Sequence, residues 1–130
     1  MTFIIGCSQT KSPESGAAVD VYRGSIWQTW KKHNTGHKCL ALSALHGLIP
    51  SETQIDPYDC LLGRDVSMQT MTEQVQRQLS NLDLDMDDIY VLTSKKYAEV
   101  LTDAGLDFTF VSGGIGIKRQ KLAQLCRGVK

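Results

Sequence analysis

The sequence predicts an α/β fold: one three-layer α/β/α domain spanning residues 1–130, with a mainly parallel sheet of about four strands. Three observations carry that expectation. The chain has 130 residues, 42% hydrophobic and 22% charged, an ordinary globular composition for one domain. A domain of this size buries roughly two-thirds of the surface its unfolded chain exposes, so it needs no staples. Short apolar runs alternate with segments of helical periodicity, and the runs lack period-two polarity. Continuous apolar runs of that kind mark parallel strands covered on both faces.

The elements follow in order. Thr2–Ile5 is an apolar run closed by Gly6, the first strand. Val21, Tyr22, Ile26, Trp27 and Trp30 recur at helical spacing and predict an amphipathic helix over roughly 19–33. Asn34-Thr35-Gly36 stops it. Trp27 and Trp30 suit a core or a dimer interface, so monomer and homodimer both stay open. Cys39–Leu42 is the second strand. Met68, Met71, Val75 and Leu79 are spaced three, four and four, which predicts a helix over about 66–81. Asp83–Asp88 reads as an acidic connector and Ile89–Leu92 as the third strand. Ser94 can cap a helix over about 95–104, and Gly105 fits its end. Phe108–Val111 is the fourth strand. Ser112-Gly113-Gly114 then leads into a last helix whose apolar stripe is Ile115, Leu122, Leu125 and Cys126.

Fourteen basic and fourteen acidic residues give a net charge of zero, which argues at first against a polyanion partner. The distribution argues otherwise. Residues 1–50 carry a balance of +3, residues 51–107 a balance of −8, and residues 108–130 a balance of +5. A fold that joins the two basic ends makes a basic cleft with an acidic back, suited to a phosphate-bearing ligand of modest size. The N-terminus has no signal-peptide pattern, and no apolar stretch approaches the ~20 residues of a membrane span. The four cysteines include no Cys-x-x-Cys pair and are expected as reduced thiols in the cytoplasm. His33, His37 and Cys39 lie close in sequence, but the helix stop between them makes a solvated loop the reading, and neither metal nor cofactor is expected.

Ligands of open parallel sheets bind beyond the carboxyl ends of the strands. Those ends are Cys7-Ser8, Ser43-Ala44, Thr93-Ser94 and Ser112-Gly113, all small or polar. Three segments there can carry chemistry. In Gly6-Cys7-Ser8-Gln9-Thr10-Lys11, backbone amides, Ser8 and Lys11 suit an anion, and Cys7 is a wall residue or a nucleophile. The long connection after the second strand holds His46, Asp56, Tyr58 and Asp59. His46 titrates near neutrality, and a carboxylate can act as base for water. Asp56-Pro57-Tyr58 reads equally as a preorganised site and as a plain turn. Ser112-Gly113-Gly114-Ile115-Gly116 lets the backbone approach a ligand at a helix N-terminus, with Lys118, Arg119 and Lys121 adding charge on the exposed face.

Four ordered motifs make the chain resemble a family of small bacterial and phage domains. They are Cys7-Ser8-x-Thr10-Lys11, Val21-Tyr22-Arg23-Gly24-Ser25, Leu42-Ser43-Ala44-x-His46-Gly47-Leu48-Ile49-Pro50 and Ile55-x-Pro57-Tyr58-Asp59. That family is in turn similar to the YaaA peroxide-stress proteins. The likeness covers residues 4–60, and the turn at 112–116 more loosely. It implies a uracil-DNA-glycosylase-like sheet and a nucleotide- or DNA-directed protein. In that larger group a Gly-Gln-Asp-Pro-Tyr segment supplies the Asp that positions water. Gln54-Ile55-Asp56-Pro57-Tyr58 is similar, without the Gly and with one inserted Ile. The expected function is an enzyme acting on an N-glycosidic bond. Asp56 or Asp59 is its carboxylate, and Tyr22 or Tyr58 stacks the base. His46 contacts the leaving base. Cys7, Ser8, Lys11, Arg23, Ser43, Ser112, Gly113, Gly114 and Lys118 are the candidates to hold the ligand. The alternative is a nucleotide or nucleic-acid binder without turnover, such as a phage sequestering factor. A third reading makes the acidic stretch 83–107 a nucleic-acid mimic.

Overall fold

Thr2–Gly6 (β1) is the central strand of a five-stranded sheet in the computed structural model of the chain. The structure describes residues 1–34, 36–82 and 88–128. After β1 come β2 (Gly16–Ala17), α1 (Ala18–Val21), α2 (Ser25–His33), β3 (Lys38–Ser43), β4 (Gly47–Pro50) and β5 (Gln54–Ile55). Then follow α3 (Met68–Leu79), β6 (Ile89–Leu92), α4 (Lys95–Asp103), β7 (Thr109–Phe110) and α5 (Ile115–Cys126). The sheet order is β4-β3-β1-β6-β7. β1 pairs in parallel with β3 and β6, β6 pairs in parallel with β7, and β4 lies antiparallel on β3. The sheet is therefore mixed α/β and mostly parallel, with one strand more than the apolar runs predict.

Alternation along β1 sorts the core into two halves. Phe3 and Ile5 join Val21, Trp27, Trp30, Leu122 and Leu125, so α1, α2 and α5 cover one face. Ile4 joins Met71, Val75, Val100 and Leu101, so α3 and α4 cover the other. A strand buried on both faces can be apolar at every position, which is why β1 shows no period of two. Trp27 and Trp30 are 1% and 4% exposed and belong to the core, not to an interface.

The helix on α3 forms where the methionine and valine spacing places it. Ser67 occupies its N-cap, and its side chain accepts a hydrogen bond from the Thr70 amide. Ser67→Ala is expected to lower stability by about 1 kcal/mol. Denaturant unfolding would show an unchanged slope and a lower midpoint. An unmoved midpoint would mean that water replaces the cap without loss.

Four expectations need correction. The helix over 19–33 is broken at Tyr22-Arg23-Gly24. There the backbone turns extended and pairs with the loop after β1: Tyr22 bridges Lys11, the Arg23 amide donates to the Thr10 carbonyl, and the Ser12 amide donates to the Val21 carbonyl. Helical periodicity survives that break because Tyr22 and Trp27 enter the same core. Second, residues 47–50 form a strand, not a loop. A three-residue turn, Ala44-Leu45-His46, folds β4 back on β3, with Gly47 at φ 68°. Third, Ile115 is 62% exposed, so it is no part of the stripe of α5, whose buried side begins at Leu122. The helix begins only at Ile115, and this residue faces the cleft described below. Fourth, Ser94 stands at the N-cap of α4 without a side-chain cap bond. Residues 83–87 of the acidic connector lie outside the described residues.

Candidate functional site

Strand order reverses at β1. The chain goes from β1 outward to β3 on one side and returns, through α3, to β6 on the other. At such a switch point the connections diverge and leave a crevice beyond the strand ends. Gly6 is needed there: a Cβ on it would run into the side chain of Thr93, so only glycine lets the ends of β1 and β6 close up. Trp27 locks the same end, its indole N–H donating to the Gly6 carbonyl at 2.8 Å.

The crevice has two lobes that share Cys7 and Tyr97. The first, about 390 Å³, is lined by Ser8, Gln9, Lys11, Tyr58, Asp59, Cys60, Leu61 and Arg64. Asp59 is 81% exposed and pairs with Arg64 at 3.1 Å, and Arg64 also holds Asp65 at 2.6 Å. Lys11 Nζ sits 4.6 Å from the centre of the Tyr58 ring. The second lobe, about 370 Å³, is bounded by Gly6, Thr93, Ser94, Gly113, Gly114 and Lys118. Two helices begin in its wall, α4 after Ser94 and α5 after Gly114, and neither has a side-chain cap on its first amides. Uncapped amides and the positive end of the helix dipole both favour an anion. Gly113 takes φ 104°, a turn that glycine makes without strain, and Lys118 Nζ donates to its carbonyl at 2.6 Å.

Behind Tyr58 lies a buried polar cluster. The hydroxyls of Tyr22 and Tyr58 share a hydrogen bond of 2.5 Å, and the fully buried Ser43, whose Oγ accepts from the His46 amide, belongs to the same cluster. Burial pushes both phenols above their ordinary range, so both stay protonated at neutral pH. Tyr97 is pushed up to about 12 by burial and by its neighbour Cys7, and its oxygen accepts from the Leu62 amide. His46 meets Tyr58 edge to face at 5.1 Å, and its buried Nε2 has no hydrogen-bond partner among the described residues. Burial lowers its affinity for a proton.

That burial predicts a pH dependence. Unfolded His46 takes its proton near 6.5, whereas the folded residue takes it only at lower pH. Between those points the unfolded chain binds more protons, so stability is fully present above the unfolded value and is lost as pH falls through the folded one. Unfolding midpoints measured from pH 7 to pH 5 should fall more steeply for the wild type than for His46→Gln. Parallel profiles would mean that His46 is not desolvated in the folded chain.

The sequence-predicted site residues divide accordingly. Cys7, Ser8, Lys11, Tyr58 and Asp59 line the first lobe, and Gly113, Gly114 and Lys118 join Cys7 in the second. Ser8 is already engaged, donating to the Thr10 carbonyl and accepting from the Gly24 amide. Tyr22, Ser43 and His46 stand behind Tyr58 instead of lining the cleft. Asp56 is exposed outside both lobes and accepts a hydrogen bond from Ser15. Arg23 is exposed and lines neither lobe. Ser112 borders a separate hollow with Phe110, Ile117 and Lys121. Arg119, assigned by sequence to the exposed basic face, donates to Thr29 Oγ1 at 2.9 Å.

Tyr97, Arg64 and Cys60 escaped the sequence reading. Tyr97 was within reach of it, since it lies in the first turn after Thr93-Ser94, one of the four strand ends. Arg64 and Cys60 sit in an irregular stretch whose only signal was its acidic balance, and only the fold brings them beside Cys7.

No curated protein matches the chain. A family model described as a family of unknown function, DUF6884, matches residues 2–123. That match spans both lobes of the cleft and all but the last residues of α5, and the chain belongs to the DUF6884 family.

Proposed function

We propose that the cleft takes a nucleotide, free or within a DNA strand, and that Asp59 is the carboxylate that supports cleavage of its N-glycosidic bond. The observation that carries this reading is the division of the cleft at Cys7 and Tyr97. One lobe offers two uncapped helix N-termini and Lys118, the groups an anionic phosphate needs. The other offers tyrosines and a carboxylate oriented by Arg64, the groups a base and sugar need. In the reaction a water oxygen bonds to the anomeric carbon as the C–N bond breaks. The Asp59 carboxylate accepts the water proton and stabilises the cationic sugar. The electron pair leaves on the base nitrogen, which takes a proton in turn. Tyr97, held protonated, is the hydroxyl on the shared wall that can donate to the departing base. The likeness of residues 4–60 to YaaA-type domains, and through them to uracil-DNA-glycosylase-like sheets, supports the same reading.

A second reading is binding without turnover. Its support is specific: Asp59 is exposed, Asp56 is tied to Ser15, and His46 is walled off by Tyr58. One experiment separates the two. The protein is incubated with nucleoside monophosphates and with unmodified and modified DNA. Free base is then followed by chromatography and binding by calorimetry. Released base with at least one substrate is expected. Binding without release would leave the second reading, and absence of both would reject the cleft as a nucleotide site.

A further inference from the structure

Beside the cleft lies a separate hollow on the outer side of the molecule's α2–α5 pair. Further along α2 and α5 the two helices bound a groove of about 340 Å³ lined by Thr29, Lys32, His33, Gly116, Arg119 and Gln120. It lies on the helices that wall the second lobe. α2 contributes Ile26 to the lobe and Thr29 and Lys32 to the groove, and the start of α5 contributes Gly114 and Ile115 to the lobe and Gly116 and Arg119 to the groove. No Asp or Glu is among its described lining residues. Arg119 is held in place by its bond to Thr29, which fixes the guanidinium on the groove wall. Lys31, one position away, is instead paired with Asp20 at 3.2 Å, so Lys32 is the lysine of α2 that serves the groove. Gly116 adds no side chain to the wall, and among the described residues no atom outside its own stretch of helix lies within 4 Å of where its Cβ would be.

We infer that this groove seats the phosphate backbone of a nucleic-acid strand whose nucleotide occupies the cleft, so that the preferred substrate is a strand and not a free nucleotide. The inference rests on the cleft reading above and names its substrate class. A mononucleotide fills the two lobes and reaches no further. A strand continues along α2 and α5, where Lys32 and Arg119 neutralise neighbouring phosphates and release their counterions. The zero net charge of the chain does not oppose this, because the acidic excess lies in the middle of the sequence and the groove is built from its two basic ends.

The test is fluorescence anisotropy with a labelled single-stranded deoxyoligonucleotide of about ten residues, a length within the range such grooves accommodate. A deoxynucleoside monophosphate competes, and salt is varied throughout. Lys32 is exposed, so its substitution does not threaten the fold. The expected result is tighter binding of the oligonucleotide than of the monophosphate. Lys32→Glu should weaken the oligonucleotide about tenfold and flatten its log–log salt slope by about 0.7 or more. Lys32→Arg should restore both, and neither should change the monophosphate. An oligonucleotide affinity and slope unchanged by Lys32→Glu overturn the groove while leaving the cleft reading intact. Lys32-dependent oligonucleotide binding without monophosphate binding keeps the groove as a backbone site and overturns the cleft. Absence of both overturns both.

Discussion

Asp59→Asn is expected to slow base release by about a hundredfold or more, with ligand affinity changed by less than about threefold. The substitution keeps the size of the side chain and its place beside Arg64. It removes the charge that opposes the cationic sugar and the oxygen that takes the water proton. A loss confined to turnover is the signature of an interaction made in the transition state. Asp56→Asn is the companion measurement. Asp56 lies outside both lobes with its carboxylate on Ser15, so its replacement should leave release nearly unchanged. If the pattern is reversed, the chemistry lies on the face beside Ser15, and the short likeness to Gly-Gln-Asp-Pro-Tyr outweighs the cleft geometry. If both variants release base at the wild-type rate, no carboxylate of this loop acts as the base.

Trp27→Ala is expected to destabilise the fold by about 3–5 kcal/mol, the usual cost of emptying a large aromatic site in a core. For a domain of this length that is a fall in melting temperature of roughly 11–18 °C. Trp27 is 1% exposed, lies against Tyr22 with ring centroids 5.4 Å apart, and donates to the Gly6 carbonyl at the mouth of the cleft. Trp27→Phe separates the two contributions. It retains most of the packing and gives up the indole donor, leaving the Gly6 carbonyl without that bond, so about 1 to 1.5 kcal/mol is expected. Calorimetric unfolding of the three proteins measures both. Equal losses for Phe and Ala would place the effect in the hydrogen bond. No loss for Phe would place it wholly in packing.

Much of the scaffold was legible in the residues. Phe3–Ile5 is buried on both faces and apolar throughout, and Ile89–Leu92 is buried at all but Tyr90, so both stand out as continuous apolar runs. Met71 and Val75 both face the sheet because their spacing of four returns them to one side of α3. The acids and bases of the cleft were less legible. Asp56 and Asp59 are three positions apart in one loop, and nothing in their spacing says which faces the strand ends. β4 was hidden because Gly47-Leu48-Ile49-Pro50 is too short and too close to proline to stand out as a strand. It forms because β3 supplies a partner edge and Gln78 clamps the turn, accepting from the Leu48 amide and donating to the His46 carbonyl.

An α/β domain with helices between apolar strands is written in the residues themselves, as are the glycine and small polar residues at the strand ends. Those properties are local: burial on both faces of a strand, and helical spacing, leave their period in the chain. The reversal of order at β1, which brings Cys7 against Tyr97 and joins the turn at 113–114 to the loop at 58–64, arises from the packing of the folded chain. That packing also moved His46 behind Tyr58 and turned Asp56 outward. Strand order and loop direction depend on which elements pack across the sheet, and a long connection closes with an entropic cost that changes only slowly with its length. Contacts between residues fifty positions apart therefore leave no period in the chain to be read.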